Sequence, residues 1–403
     1  MTIRANRCIL LVMTVALLWP LTGCWDRREL NELAISVALG IDKVDDKYQV
    51  TVQVVQPAEV ASQKGGAGNY APVVMYQTTG ITIFEAIRKM TITSPRKIYA
   101  SHLRIVVIGE QLAREGIGNA LDLLSRDYEL RTDFFLLVAK GIKAEKVLKI
   151  LVPLEKIPAN KIYNSIRTSE KVWAPVTAVT LDDFIMDYES KGKNPVINGI
   201  RVTGNAEIGI KKENVEMIQP AARIKNSGIA VFRKDQMIGW LTEDQSKGYN
   251  YVINTIKSTV GHIQCPDGGY VALEVVRSKS KMKAAVQNGN LRLAVDIHVE
   301  ENLGEVQCQL DLTKVSVIQE LERKAELRVK DLVEQTMDSA QKKFRCDFFG
   351  FGNALHRSNP KAWKKLQPDW DEHFAEAPVS VTVKVNIKRT GTIGNSFMLD
   401  REE

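Results

Sequence analysis

The clearest pattern of hydrophobic and polar positions lies in the last third of the chain. Apolar residues alternate with polar ones over 291–299, and the same alternation returns over 379–387. Such alternation predicts strands with one buried face. Between them, apolar residues at helical spacing from Ile318 to Phe344 predict a long amphipathic helix over 317–345. Segment 271–403 is therefore predicted to be an α+β domain in which a long helix packs on a sheet.

The strand that begins at residue 271 carries charge where its apolar face should continue. The apolar alternation stops at Val275, and four basic residues follow on the same parity: Arg277, Lys279, Lys281 and Lys283. Four charges cannot share a buried face, so the strand should end or bulge near Val276. The basic residues would then line a solvated strand edge, with contact to anionic head groups as the alternative.

Three short patterns predict where helices begin. Thr242 and Ser316 each have a glutamine three residues later, as in the capping box. Asn359 precedes a proline, which suits a capped start with proline in the first turn. We therefore expect helices to begin just after these three residues.

Strand and helix patterns alternate in the first half of the chain. Segments 48–55, 102–109 and 133–140 have strand patterns, 33–41 suits a buried strand or short helix, and 82–90, 118–128 and 144–151 suit helices. This order predicts an α/β domain over 24–195. A strand–turn–strand pattern within 228–241 then predicts a middle α+β domain over 196–270. The expected fold is thus mixed α+β and α/β, with three domains that each pack a sheet with helices.

The first 23 residues have the order of a secretory signal peptide. Arg4 and Arg7 precede an apolar run over 9–19, which is too short to span a bilayer of about 30 Å. Leu21-Thr-Gly-Cys24 follows and resembles the bacterial lipobox. That resemblance implies cleavage before Cys24, with an S-diacylglycerol on its thiol and an acyl group on its amine. The alternative is a plain signal peptide or signal anchor with an incidental cysteine.

A short tether and a modest charge follow from that prediction. Loss of Arg4 and Arg7 lowers the formal charge from +7 to +5, which suits an anionic membrane surface and does not indicate nucleic acid. About eight residues separate Cys24 from the first predicted strand, roughly 28 Å when extended. The first domain should therefore lie close to the bilayer, where a membrane protein is the expected partner.

No pattern in the sequence predicts a catalytic, metal or cofactor site. The five histidines lack zinc-ligand spacing, Gly350-Phe-Gly352 lacks the third glycine of a dinucleotide loop, and the Ser-x-x-Lys matches lack partner motifs. Cys265, Cys308 and Cys346 are too few and too scattered for a disulfide framework, so we interpret them as small buried hydrophobes. An enzyme is not expected.

Several segments together resemble one family. The segments are Cys24-Trp-Asp-Arg-Arg-Glu-Leu-Asn-Glu-Leu-Ala34, Leu39-Gly-Ile-Asp42, Gly228-Ile-Ala-Val-Phe232, Gly239-Trp-Leu241, Lys247-Gly-Tyr-Asn250, Phe349-Gly-Phe-Gly-Asn-Ala-Leu-His356, Asn359-Pro-Lys-Ala-Trp363, Trp370-Asp-Glu-His-Phe374 and Arg389-Thr-Gly391. They resemble the Ger(x)C spore germination lipoproteins, the C subunits of nutrient germinant receptors. The aromatic residues Trp363, Trp370 and Phe374 would fill a core or form a recognition patch.

The resemblance implies both a location and partners. The expected location is the outer face of the spore inner membrane. The expected partners are an integral membrane A-type subunit and a permease-like B-type subunit, in a complex that answers nutrients by triggering release of ions and dipicolinate. The function predicted from the sequence is a non-catalytic, lipid-anchored receptor subunit. Two alternatives are weighed against it: a solute-binding lipoprotein of a membrane transporter, and a lipid-anchored hydrolase.

Overall fold

The computed structural model describes residues 13, 29–61, 71–266 and 268–391. Within these residues the strands form two sheets. The strands are β1 (Leu33–Val44), β2 (Lys47–Val55), β3 (Val73–Gly80), β4 (Lys97–Tyr99), β5 (Ile105–Gly109), β6 (Phe135–Ala139), β7 (Val196–Gly204), β8 (Ala222–Arg233), β9 (Gln236–Trp240), β10 (Thr259–Gln264), β11 (Tyr270–Gln287), β12 (Asn290–Val306) and β13 (Val379–Arg389).

The α-helices of the described residues are mostly short. They are α1 (Pro57–Ala61), α2 (Ile83–Lys89), α3 (Glu110–Glu115), α4 (Gly118–Arg126), α5 (Ala144–Lys149), α6 (Pro158–Val172), α7 (Leu181–Glu189), α8 (Ala206–Gly209), α9 (Glu213–Glu216), α10 (Glu243–Val252), α11 (Val315–Asp338), α12 (Phe351–Ser358), α13 (Pro360–Leu366) and α14 (Trp370–Glu376). In this part of the chain, none of the helices is both long enough and apolar enough to cross a bilayer.

The first sheet has the strand order β3-β2-β1-β5-β6-β7-β8-β9, with β4 paired to the start of β1. Its centre, β1-β5-β6-β7, is parallel, and β5 and β6 are buried along their whole length. Unbroken apolar strands are typical of a sheet covered on both faces. The mixed α/β character predicted for this part of the chain is confirmed.

Strands from the predicted middle domain belong to this first sheet. β7, β8 and β9 extend it directly from β6, so the sheet continues through residue 240. The described residues therefore contain two sheets, whereas one sheet per domain would require three. The division at residue 195 stays a prediction, and the hydrogen bonding of the sheet gives it no support.

The second sheet has the order β10-β11-β12-β13, and the long helix α11 packs on it. The alternating residues of β12 face inward, with Leu293, Val295 and Ile297 all buried. They meet the apolar stripe of α11, which includes Leu321 and Val329. The parallel pairing of β12 with β13 requires the long crossover that contains α11 to α14. The predicted α+β arrangement with a long helix is confirmed.

The bulge near Val276 is confirmed, and the strand continues beyond it. The register against β12 slips by one residue between Val275 and Arg277. An extra residue reverses the parity of everything after it. The four basic side chains are consequently exposed, while Ala284 returns to the buried face.

Two of the three predicted helix starts are confirmed. Thr242 forms a complete capping box at α10, and the Asn359 side chain accepts from the backbone N–H of Ala362 at α13. The start at Ser316 is wrong, because α11 begins at Val315 and no side chain caps it. Helix α11 then passes into a π-helical turn, Ser339–Phe344, which closes the segment predicted over 317–345.

The interpretation of the cysteines needs a correction. Cys265 and Cys308 form a disulfide, although they lie 43 residues apart in the sequence. Antiparallel pairing brings them together, because the end of β10 and the end of β12 flank the same end of β11. Cys346 is a free, buried thiol, as predicted.

Candidate functional site

A cavity of about 150 Å³ lies between the first sheet's helices and the second sheet. Its walls come from the end of α6, from α10, from β10 to β12 and from α11. We call it the interlayer cavity. Its polar and aromatic lining residues are Trp173, Glu243, Asp244, Lys247, Tyr251, Thr259, His262, Glu301 and Arg328.

Lys247 forms one wall of the interlayer cavity and is 7% exposed. Its Nζ lies 3.6 Å from the centroid of the Trp173 ring. The indole N–H of Trp173 donates to Glu243 Oε1 at 2.7 Å, which fixes the ring in this position. Burial lowers the pKa of Lys247, while Glu243 and Asp244 act in the opposite direction. Among the described residues the Lys247 ammonium forms no ion pair, so the aromatic face is its main contact.

Glu301 lies on β12 across the cavity and is only 3% exposed. Its Oε2 is buried and accepts no hydrogen bond from the described residues. Burial raises the pKa of Glu301 to about 7. Tyr251 is buried nearby, and burial and the negative charge of Glu301 both raise the pKa of its phenol. A buried carboxyl oxygen that accepts no hydrogen bond is energetically costly, and such atoms are few in folded proteins.

Arg328 is the second cation at the cavity, and it is already neutralised. It projects from α11 to Asp244 of α10 at 3.0 Å and to Asp331 at 3.2 Å. The ion pair with Asp244 joins α10 to α11 at the cavity. Unlike Arg328, Lys247 forms no ion pair with a carboxylate within the described structure.

A second buried acid, Asp347, has a different environment. Its carboxylate accepts the backbone N–H groups of Phe349, Gly350 and Gly352, and the indole N–H of Trp370 at 2.9 Å. Burial raises the pKa of Asp347 to about 6, against the lowering effect of these hydrogen bonds. The backbone N–H groups of Gly350 and Gly352 therefore donate their hydrogen bonds within the protein, to Asp347.

The Asp347 segment also holds the two halves of the chain together. The backbone N–H of Asn194 donates to the Asp347 carbonyl at 2.7 Å, and the Asn194 side chain donates to Asp371 at 3.1 Å. Gly192 packs so closely against Gly352 that a Cβ on either would overlap the other. Part of the sequence motif around residues 347–374 thus packs against the segment 192–194 of the first half of the chain.

The aromatic residues that suggested either a core or a recognition patch belong to the core. Trp363, Trp370 and Phe374 are all buried. Trp363 and Trp370 form an edge-to-face pair with centroids 5.3 Å apart.

The basic residues of β11 form an exposed strip. β10 pairs with β11 only as far as Val275, so the remainder of that strand edge is unpaired by any described strand. Lys283 pairs with Asp296 of the neighbouring strand at 2.6 Å. These are the features of a solvated, charge-protected edge. Contact of the strip with head groups stays a prediction.

Sequence reasoning placed its one site residue, Cys24, in a segment that lies outside the described residues. It missed the interlayer cavity, although one signal was available. Glu301 continues the parity of Leu293, Val295, Ile297 and Val299, and so it occupies a position where the pattern predicts burial. A charged residue at a position that the alternation predicts to be buried therefore indicated a polar pocket.

Comparison with known proteins gives consistent matches along the whole chain. A family described as spore germination protein N-terminal domain matches residues 26–202, and one described as spore germination B3/GerAC like, C-terminal, matches residues 227–391. The chain is 34% identical to spore germination protein KC of Bacillus subtilis (strain 168) over 97% of both chains. It is 27% identical to spore germination protein B3 of the same organism, over 94% of this chain and 96% of that protein.

One solved structure has a similar fold. The crystal structure of the GerBC protein aligns with a TM-score of 0.53 and 21% identity, over 87% of this chain and 96% of that chain. At this level of identity the match supports the fold alone.

Proposed function

Since the chain belongs to the GerAC-like family of spore germination proteins, we propose that it is a lipid-anchored, non-catalytic subunit of a nutrient germinant receptor. The observation that carries this proposal is the end-to-end match to spore germination protein KC, which covers 97% of each chain. Both family models also match in the expected order. The similarity that supports a role in germination therefore extends over almost the entire chain.

The proposed anchor is Cys24, as the mature N-terminus with an S-diacylglycerol and an N-acyl group. Each buried CH₂ contributes about 0.8 kcal/mol, and two or more chains give a durable attachment where one does not. Strand β1 begins at Leu33, so eight residues separate it from the anchor. The first sheet would then lie within roughly 28 Å of the bilayer. The proposed location is the outer face of the spore inner membrane.

The proposed partners are an integral membrane A-type subunit and a permease-like B-type subunit. A chain held this close to the bilayer can contact the extracytoplasmic loops of polytopic proteins continuously. Anchoring replaces a three-dimensional search by a local one, which raises the effective concentration of the partners. The anchor would therefore support assembly of the complex.

Crosslinking and mass spectrometry on spore membranes test both parts of the proposal. Wild type should show lipid mass on the Cys24 peptide and should capture two polytopic proteins. Cys24→Ala should lose the lipid, most of the membrane attachment and both partners. Cys8→Ala is the matched control, because that cysteine lies in the predicted signal peptide and should change nothing in the mature protein.

Two outcomes would contradict the proposal. Capture of no polytopic protein by wild type would remove the receptor assignment and favour a free-standing solute-binding lipoprotein. Tight membrane binding by Cys24→Ala, together with an unmodified Cys24 in wild type, would remove the lipid anchor.

A further inference from the structure

The interlayer cavity contains two buried side chains of opposite charge that do not neutralise each other. The Lys247 ammonium rests on the Trp173 ring, and the buried Oε2 of Glu301 accepts no hydrogen bond from the described residues. No ion pair joins Lys247 to Glu301, although both line the same cavity. Buried charges are stable when they are paired or hydrogen-bonded. The space between them is therefore suited to a molecule that compensates both.

We propose that the interlayer cavity binds a small zwitterion, with the ligand's ammonium group at Glu301 and its carboxylate at Lys247. The other charged groups of the cavity support this orientation. Arg328 is occupied by Asp244, and Glu243 accepts the indole N–H of Trp173. Neither Lys247 nor Glu301 forms an ion pair among the described residues, so each can contact a charged group of a ligand.

The cavity limits the size of the ligand. A volume of about 150 Å³ corresponds to roughly five waters, or to an organic molecule of fewer than about ten non-hydrogen atoms. Larger ligands with bulky side chains would not fit without movement of the walls. The zwitterion is consequently a short amino acid.

The cavity also favours separation of the two charges along the ligand. Lys247 and Glu301 form no ion pair with each other among the described residues, so a ligand that touches both must have separated charges. The lining of the cavity also includes the apolar residues Ile263, Leu273 and Val329. Methylene groups would be buried against these residues. An ω-amino acid, with methylenes between its ammonium and carboxylate, meets both requirements.

Binding at this place would join the two halves of the molecule. Lys247 belongs to α10, which follows the first sheet, and Glu301 belongs to the second sheet. A ligand that contacts both stabilises their packing, because any ligand specific for the folded state does so by mass action.

Calorimetry on the detergent-solubilised mature chain tests the proposal at about pH 7.5. Glycine, β-alanine and γ-aminobutyrate form a series of zwitterions with increasing charge separation, while propionate and propylamine each carry one of the two charges. At least one zwitterion should bind, and β-alanine or γ-aminobutyrate should bind more tightly than glycine. Propionate and propylamine should each bind at least about tenfold more weakly than the best zwitterion, because each lacks one charge-assisted contact.

Variants identify the contacts. Glu301→Gln and Lys247→Met should each weaken zwitterion binding by at least about tenfold. Glu301→Gln should at the same time leave propionate binding unchanged or tighter, a reversal that general loss of structure cannot produce. Glu300→Gln is the matched control, since Glu300 neighbours Glu301 but pairs with Lys388 at 3.5 Å on the exposed side. It should bind within about twofold of wild type.

Three results would overturn the proposal. The first is the absence of binding by every zwitterion in the series to the folded wild-type chain. The second is unchanged zwitterion affinity in Glu301→Gln. The third is binding of propionate as tight as the best zwitterion, which would make the cavity an anion site. None of these results affects the crosslinking test of the receptor assignment, so the two proposals can fail separately.

Discussion

Replacement of Glu301 by glutamine should stabilise the protein at alkaline pH and have little effect at acidic pH. The carboxyl group is 3% exposed, and burial raises its pKa from 4.5 to about 7. Between these two pH values the unfolded chain loses this proton while the folded chain retains it. The folded state therefore loses stability as the pH rises through about 7. Glutamine keeps the size of the side chain and cannot ionise.

The magnitude follows from the size of the pKa change. At about 1.4 kcal/mol per pH unit, the ionised carboxyl group costs about 3 kcal/mol at pH 8 and under about 1 kcal/mol at pH 5. For a chain of this size, 1 kcal/mol moves the thermal midpoint by about 1 °C. Glu301→Gln should thus raise the midpoint by up to about 4 °C at pH 8, and by about 1 °C or less at pH 5.

Differential scanning calorimetry across this pH range, without added ligand, measures the effect. The other charged or titratable groups that line the cavity with Glu301 are Lys247, Arg328, His262, Tyr251, Glu243 and Asp244, and they remain in the variant. Glu300→Gln serves again as the partly exposed control and should follow the wild-type profile. Parallel profiles for wild type and Glu301→Gln from pH 5 to pH 8 would refute the assignment of a buried, unpaired carboxyl group.

The remaining predictions concern the packing of the two halves. Asp347→Asn should lower the free energy of unfolding by about 2–4 kcal/mol in urea titrations, because an amide NH₂ would face backbone donors; an unchanged midpoint would contradict this role. Cys308→Ser should cost about 4 kcal/mol through loss of the 43-residue cross-link to Cys265, and reductant should lower the midpoint of wild type but not of the variant. Gly248→Ala should destabilise by several kcal/mol in the same titration, since its Cβ would overlap α11, whereas Gly304→Ala has space and should be nearly neutral; equal effects of these two substitutions would show that the α10–α11 contact is not tight.

Much of the local structure could be predicted because it depends on neighbours in the sequence. The alternation in β12 and the stripe of α11 are periodic, and their buried faces follow from that period. The capping box at Thr242 needs only residues within one helical turn. The bulge near Val276 was predictable because four charges cannot occupy a buried face. The start of α11 was misplaced because the pattern at Ser316 is also compatible with a position inside the first turn.

The candidate site was harder to predict, since its groups come from separate elements. Lys247 and Glu301 are ordinary charged residues in the sequence, and only the packing of α10 against the second sheet brings them to one cavity. The position of Glu301 in the alternating pattern indicated that its side chain is buried, but it could not show that its Oε2 accepts no hydrogen bond from the described residues. The same holds for Asp347, whose hydrogen-bond donors include the indole N–H of Trp370 at the start of α14.

The sequence by itself determined the family, the kinds of elements and which face of each is apolar, because these depend on residue type and spacing along the chain. The tertiary structure decided that β7 to β9 extend the first sheet, that Cys265 pairs with Cys308, and that the charges of Lys247 and Glu301 are buried apart from each other. The physical reason is that strand pairing and the burial of charge depend on contacts between residues far apart in the chain. Those contacts follow from the mutual packing of whole elements, which no local pattern specifies.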